Sequence, residues 1–261
     1  MIGERFNEKE IAARLDGLSL PIRIYDMVDS TNSEAKRYGT EGGEVPCAFL
    51  AEAQSGGRGR MGRSFYSPDG TGIYLSLLLP AEGELSDAVL LTTGAAVAVR
   101  RAIRRVTGLE TEIKWVNDLY YREKKVCGIL AESFFGADAR YAILGVGVNL
   151  YPAEFPEELR SVAGCLLEGA GGVRNALAAE LIAELYRLSL SLCPESFMEE
   201  YRGASLVLGR QITYQKNGIT RRGRAETVDD RGRLHVRHGD GTVEILASGE
   251  ISVRMTEDQG S

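Results

Sequence analysis

Two apolar runs, Cys47–Ala53 (CAFLAEA) and Gly72–Leu79 (GIYLSLLL), are short and bounded by Gly, Pro and Asp. That pattern predicts buried strands. A third run, PIRIYDMV at 21–28, predicts another strand, and YAILGVGVNL at 141–150 a fourth. Helical signals separate them. Asn7, Glu10 and Gly17 punctuate a helix over 7–17, and Thr31 and Glu34 have capping-box spacing before a helix closed by Gly39. Residues 86–107, with Ser86 as cap and Gly108 as stop, predict the longest helix. Residues 174–192, with Leu177, Leu181, Leu185 and Leu188 on one face, predict another, followed by a short one at 195–203. The stretch TEIKWVNDLYYREKKVCGILAES, 111–133, reads as strand, polar turn and strand. From Leu206 the pattern changes to short strands with turn signals at Asn217-Gly218, Asp230-Arg231-Gly232 and Asp240-Gly241, as in a small β-barrel or sandwich. The expected division is therefore 1–205 and 206–261.

Between the first two strands lies QSGGRGRMGRSFYS, with four glycines and three arginines from Gly56 to Arg63. Glycines let a backbone turn tightly against a ligand. Arg58, Arg60 and Arg63 supply forked cations suited to carboxylate or phosphate. A loop held between core strands is expected to close over an anionic small molecule and to order when that ligand arrives. Flexible Arg-Gly segments of RNA-binding tails are the alternative, but they sit in longer low-complexity tracts.

Other candidates follow the strands. Ser30, Thr31 and Asn32 fall at a strand-to-helix junction, where backbone N–H groups are unpaired; simple helix capping would account for Thr31 alone. Lys114, Asn117 and Asp118 place a cation, an amide and a carboxylate within five residues. Lys125 precedes a small-residue strand in which Gly128 would let a ligand lie flat. Gly145 and Gly147 share a face by the two-residue period, with Asn149 at the end of the slot they leave.

Composition narrows the function. Apolar residues make up 44% and charged residues 26% of 261, the balance of a soluble globular chain. A net charge of -6 argues against a general nucleic-acid binder. The Arg100, Arg101, Arg104 and Arg105 cluster is explained by the dipole at a helix C-terminus. No apolar run reaches the roughly 18 residues of a membrane span, and MIGERFNEKE carries no hydrophobic signal region, so a cytoplasmic location is expected. Cys47, Cys127, Cys165 and Cys193 form no CxxC pair and read as buried apolar residues. His235 and His238 read as part of a solvated turn.

In this order, DSTN, GRGRMGR, KWVND, KKVCGILAE, GVGVNL and SGEISVR resemble the motifs of the biotin protein ligases, from about Tyr25 to Arg254. The family's KWPND has Val116 for proline here, and Phe65 stands where the loop often has tryptophan. The resemblance implies an α+β fold: a mixed-sheet catalytic domain of the class II aminoacyl-tRNA synthetase and biotin ligase type, with an SH3-like C-terminal barrel. Only 28 residues precede DSTN, so the monofunctional type, without a winged helix-turn-helix, is expected. By resemblance, Ser30, Thr31, Asn32 and Gln54 hold biotin's ureido ring and neighbouring groups. Gly57, Arg58, Gly59 and Arg60 cover biotin and its adenylate, and Lys125 takes biotin's carboxylate. Gly128, Leu130, Gly145 and Gly147 form the apolar floor. Arg63, Asn117, Asp118, Asn149 and Arg254 lie on the nucleotide side, with Lys114 opening that segment.

The implied reaction uses ATP, Mg2+ and biotin to make biotinyl-AMP, then transfers biotin to a lysine of a biotin carboxyl carrier domain. Arg58, Arg60, Lys125 and Asp118 are the expected catalytic set. Docking on an open sheet edge, and a homodimer through the same edge, are expected; DNA and membrane partners are not. The alternatives are a lipoate or other acyl-group protein ligase and, from another class, a nucleic-acid-binding module.

Overall fold

The computed structural model describes residues 4–81, 87–136, 139–169, 171–216, 218–247 and, in backbone only, 254–255. The Ser86 cap, the Asn217-Gly218 turn as a unit, and most of SGEISVR lie outside the described residues. So does the side chain of Arg254.

A seven-stranded mixed sheet forms the larger part. Its strands are β1 (Ile22–Val28), β2 (Cys47–Gln54), β3 (Gly72–Pro80), β4 (Glu112–Lys114), β5 (Asp118–Tyr121), β6 (Lys124–Phe135) and β7 (Arg140–Asn149), in the order β1-β2-β3-β7-β6-β5-β4. β1 runs parallel to β2, and the remaining pairs are antiparallel. The 111–133 stretch is thus a three-stranded meander, not the expected hairpin. Its run through Trp115 and Val116 looks continuous in apolar character, but the chain turns there. The turn between β5 and β6 places Arg122 and Glu123 at φ 48° and 64°, the left-handed pair that a two-residue hairpin requires.

The helices divide unequally between the faces. α3 (Ala88–Thr107) and α5 (Arg174–Leu190) pack on one face with α1 (Glu8–Ala13). Leu75, Leu77, Leu144 and Val148 point into that main core with Ala95, Val99, Leu181 and Leu185. α2 (Thr31–Thr40) covers part of the other face, over Cys47, Phe49, Leu78 and Ile143. Beyond α2 the same face is left to the cleft described below. α4 (Glu157–Arg160) and α6 (Met198–Gly203) are the remaining α-helices among the described residues. A five-stranded antiparallel SH3-like sheet follows, with β8 (Gln211–Lys216), β9 (Ile219–Val228), β10 (Leu234–Arg237), β11 (Val243–Leu246) and β12 (Arg254–Met255) ordered β11-β10-β9-β8-β12.

Several local expectations change. Asp87 caps α3, accepting from Val89 N and Leu90 N, and Ser30 rather than Thr31 caps α2. Gly108 ends α3 in the left-handed region as expected. The arginine cluster does more than face a dipole. Arg100 and Arg101 pair with Glu200 on α6, and Arg105 with Glu180 and Glu184 on α5. Only Cys47 and Cys127 are buried; Cys165 is intermediate and Cys193 exposed. The histidines sit in polar clusters: His235 meets Asp229 at 3.1 Å, and His238 meets Tyr214 Oη at 3.1 Å.

Candidate active site

A cleft of about 580 Å³ opens on the α2 face of the large sheet. Sheet register explains its floor. Gly147 on β7 stands opposite Gly128 on β6 and Tyr74 on β3, while Gly145 stands opposite Leu130 and Ser76. Partners in register share a face, so the glycines form a strip without side chains across two strands. The strip is not bare. A Cβ on Gly145 would lie 2.2 Å from Asn32 Oδ1, and one on Gly147 2.5 Å from Phe65 Cε1. Asn32 and Phe65 therefore lie directly against the floor that the glycine spacing predicts as an open slot.

One end of the cleft is a hydrogen-bonded polar cluster. The Thr31 N–H donates to Gln54 Oε1 at 2.9 Å, and Gln54 Nε2 donates to Ser67 Oγ at 2.8 Å. Asn32 Nδ2 donates to Glu132 Oε2 at 2.7 Å. Ser76 Oγ lies 2.6 Å from Asn32 Oδ1 and 2.8 Å from Thr31 Oγ1. These bonds fix which atoms face inward. Ser30, Thr31 and Asn32 are buried, brought there because α2 begins where β1 ends.

The cationic end is built by three separate elements. Arg58 and Ser64 pair as an antiparallel bridge, so the Gly-rich segment is a narrow ribbon. Its tip turns at Met61, φ 57°, and Gly62, φ 73°. Phe65 N donates to Gly57 O, and a Cβ on Gly57 would meet Phe65 O at 2.4 Å. Gly57 thus shapes the ribbon's base and does not line the cleft. Arg60 reaches across to Asn117, Nη1 to Oδ1 at 3.0 Å, and burial pulls its guanidinium below the ordinary arginine pKa. Asn117 is fixed in turn by donating Nδ2 to Ile129 O at 2.9 Å. Lys125 Nζ lies 2.7 Å from Asp118 Oδ1 and against Gly128, where an added Cβ would be 3.4 Å from the amine. Lys114 Nζ sits 5.2 Å from the centre of the Tyr120 ring. Burial pushes the Tyr120 hydroxyl up to about 12, so it stays protonated.

The fold thus brings Ser30, Thr31, Asn32, Gln54, Arg58, Gly59, Arg60, Arg63, Lys114, Asn117, Asp118, Lys125, Gly128, Leu130, Gly145 and Gly147 to one cleft. Asn149 does not join them. It is buried at the last position of β7, opposite Gly72. Sequence reasoning missed Phe65 as part of the floor, and also Ser76 and Glu132. A signal existed for Ser76, a lone polar side chain in the apolar run of β3; Glu132, beside Ser133 in a strand that opens with two lysines, offered none. Trp115, Met61 and Val162 also line the cleft.

Comparison with known proteins agrees with this geometry. Residues 25–149 match the Biotin/lipoate A/B protein ligase family, and residues 207–254 match the Biotin protein ligase C terminal domain. The chain is 31% identical to the bifunctional ligase/repressor BirA of Escherichia coli over 96% of its own length and 79% of that protein. It is also 31% identical to the biotin--[acetyl-CoA-carboxylase] ligase of Mycobacterium tuberculosis, covering 95% of this chain and 96% of that one. Among solved structures, the Aquifex aeolicus biotin protein ligase in complex with biotin and ATP superposes with a TM-score of 0.76 at 27% identity, covering 90% of this chain and 99% of that one. Two domain matches in order, with relatives aligned across both, leave one assignment: the chain belongs to the biotin protein ligase family.

Proposed function

We propose that the protein activates biotin with ATP to biotinyl-5′-AMP and transfers the biotinyl group to a lysine of a biotin carboxyl carrier domain of a carboxylase. The observation that carries this reading is the polarity of the cleft. A hydrogen-bonding head, a glycine floor and a cationic end follow one another along two strands. Biotin has the matching order of ureido ring, apolar bicycle and tail, and carboxylate.

In the first step a biotin carboxylate oxygen attacks the α-phosphorus of ATP, and the bond to the departing pyrophosphate breaks. Two anions must meet, so catalysis rests on positioning and on cations where charge develops. Lys125, held beside Gly128 and Asp118, is placed to receive the carboxylate. Arg58, Arg60 and Arg63 then face the phosphates, and the Asn117 anchor orients Arg60. In the second step an acceptor lysine amine attacks the acyl carbon, AMP leaves, and the amine proton passes to solvent. Neither step uses an enzyme nucleophile.

Among the described residues no group of three or more His, Cys, Asp or Glu is placed to hold a metal by itself. Magnesium keeps several waters and commonly takes one or two carboxylates beside substrate phosphates. Asp118, the carboxylate in the described lining, fits that requirement as a protein ligand. Bound there, the ion would supply charge neutralisation on the phosphates.

The head cluster favours biotin over lipoate, because a site built to hydrogen-bond rejects a ligand that cannot reciprocate. The outer edge of β1, which carries no further strand among the described residues, suits an acceptor domain or a second copy of the chain. No described helix is long and apolar enough to cross a membrane, and we assign the reaction to the cytoplasm. Pyrophosphate release from ATP, with biotin, lipoate or no acid, tests the reading. Biotin-dependent release is expected; release with lipoate alone overturns the substrate.

A further inference from the structure

The wall of the cleft between Lys114 and Asn117 is held from outside by the C-terminal sheet. Trp115, only 6% exposed, lines the cleft and donates its indole N–H to the carbonyl of Gly232 at 2.9 Å. Gly232 belongs to the turn between β9 and β10, and that turn is tightly built. Asp229 accepts from the backbone N–H groups of Arg231 and Arg233 at 3.0 and 2.9 Å, and from Arg233 Nε at 2.8 Å. The oxygen that takes the Arg233 Nε bond, Oδ2, also lies 3.1 Å from His235 Nε2. Gly232 itself has φ 73°, and a Cβ there would sit 2.9 Å from Thr93 and 3.0 Å from Val89 on α3. Both the left-handed backbone and the fit against α3 select glycine. Arg202 of α6 ties the same turn to the catalytic part through Val228 O at 2.6 Å and through Asp230. On the other side of Trp115, buried Tyr201 donates to Val116 O at 3.1 Å.

We propose that the Asp229–Arg233 turn is a positioning element for ATP, acting through Trp115 on the turn that carries Asn117 and Asp118. A buried indole N–H needs an acceptor, and this one has a single backbone carbonyl. Losing it lets the ring seek another partner, and the following residues move with it. Asn117 anchors Arg60, whereas Asp118, the first residue of β5, is held opposite Gly128 by the sheet pairing and keeps Lys125 in place for the biotin carboxylate. The turn therefore governs the nucleotide end of the cleft without touching nucleotide, while the ureido head lies beyond its reach. This rests on the proposed assignment of Lys114, Asn117 and Asp118 to the nucleotide side.

Trp115 is the one tryptophan in the chain, so its fluorescence reports on this contact directly. The test measures pyrophosphate release against ATP and against biotin separately, together with tryptophan emission. The KM for ATP in Asp229→Ala is expected to rise about five- to twentyfold. The KM for biotin should stay within about twofold of wild type, and emission should move to longer wavelength as water reaches the indole. Arg231→Ala, on an exposed side chain of the same turn, should change neither. Trp115→Phe keeps a ring in the wall and removes only the donor; it should raise the ATP KM selectively, even if Asp229→Ala fails to fold. Parallel rises in both KM values, or an unmoved ATP KM in Trp115→Phe, overturn the proposal. Absence of biotin-dependent release from the wild-type protein would refute the ligase reading, and the emission shift would still test the turn's hold on Trp115.

Discussion

At the polar head of the cleft the side chains are bonded to one another before any ligand is considered. Gln54 joins Thr31 to Ser67, and Ser76 lies between Thr31 and Asn32. At the cationic end the side chains reach into the cleft from a ribbon whose backbone bonds to itself, Gly59 N to Arg63 O and Phe65 N to Gly57 O. Arg58 and Arg63 are exposed, and the tip residue Met61 is 63% exposed. The first arrangement is part of the fold's stability; the second contributes little to it. The contrast fits the two tasks. A neutral ureido group is recognised by donors and acceptors held in fixed places, whereas a reactive anhydride needs cover that can open for the acceptor lysine. Substitutions at the head should therefore lower stability and biotin affinity together. Substitutions in the ribbon should lower activity alone.

The largest effect is expected for Arg60→Ala. Hydrogen bonds to charged groups contribute roughly 1.5–3 kcal/mol, so the variant should hold its adenylate roughly 10- to 150-fold less well. It should release reactive adenylate and label bystander proteins, with its melting temperature near that of wild type. Adenylate retention like that of wild type would remove Arg60 from the mechanism. A large fall in melting temperature would instead break the contrast between the two ends.

Gln54→Ala probes the opposite end. It removes the acceptor of the Thr31 N–H and the donor to Ser67, leaving part-buried polar groups that each cost about 1–3 kcal/mol. Denaturant unfolding should show a loss in that range, and the KM for biotin should rise while that for ATP does not. Unchanged stability with raised biotin KM would mean that Gln54 serves the ligand alone. Ser76→Ala should act in the same direction but less, by about 0.5–1.5 kcal/mol. A hydroxyl has one proton to give, so Ser76 donates to only one of its two close neighbours at a time.

These variants also show what the sequence could convey. The glycine period on β7 was legible because a strand's two faces alternate by rule, and the flanking apolar runs marked β2 and β3. The Gly-rich loop was legible as a turning, arginine-bearing segment between two strands, and its Arg58, Arg60 and Arg63 do line the cleft. Phe65 against Gly147 was not. Its place depends on a ribbon folding back across the sheet, and nothing local to either residue requires it. The contact of Trp115 with Gly232 joins residues 117 positions apart, a separation that periodicity does not reach. Asn149 shows the converse, a residue on the floor's face that lies outside the cleft lining. Its period placed it on the right face, but the cleft stops before the strand does.

The smallest expected effect is the sharpest check on the contrast. The Arg58 side chain is exposed, and the bridge between Arg58 and Ser64 is made by backbone alone. Arg58→Ala should therefore change stability by no more than about 0.5 kcal/mol. Its charge should act over distance on an anionic ligand, and such attraction weakens as salt shortens the Debye length from about 10 Å at 0.1 M to about 3 Å at 1 M. The KM for ATP in wild type should accordingly rise with salt more steeply than in Arg58→Ala. Parallel salt dependences would show that Arg58 acts only at contact range, or not at all. A stability loss comparable to that of Gln54→Ala would show that the ribbon, too, is held by its side chains. The two ends would then differ in charge but not in construction, and the opening of the cover would have to be sought in the whole ribbon rather than in its tip.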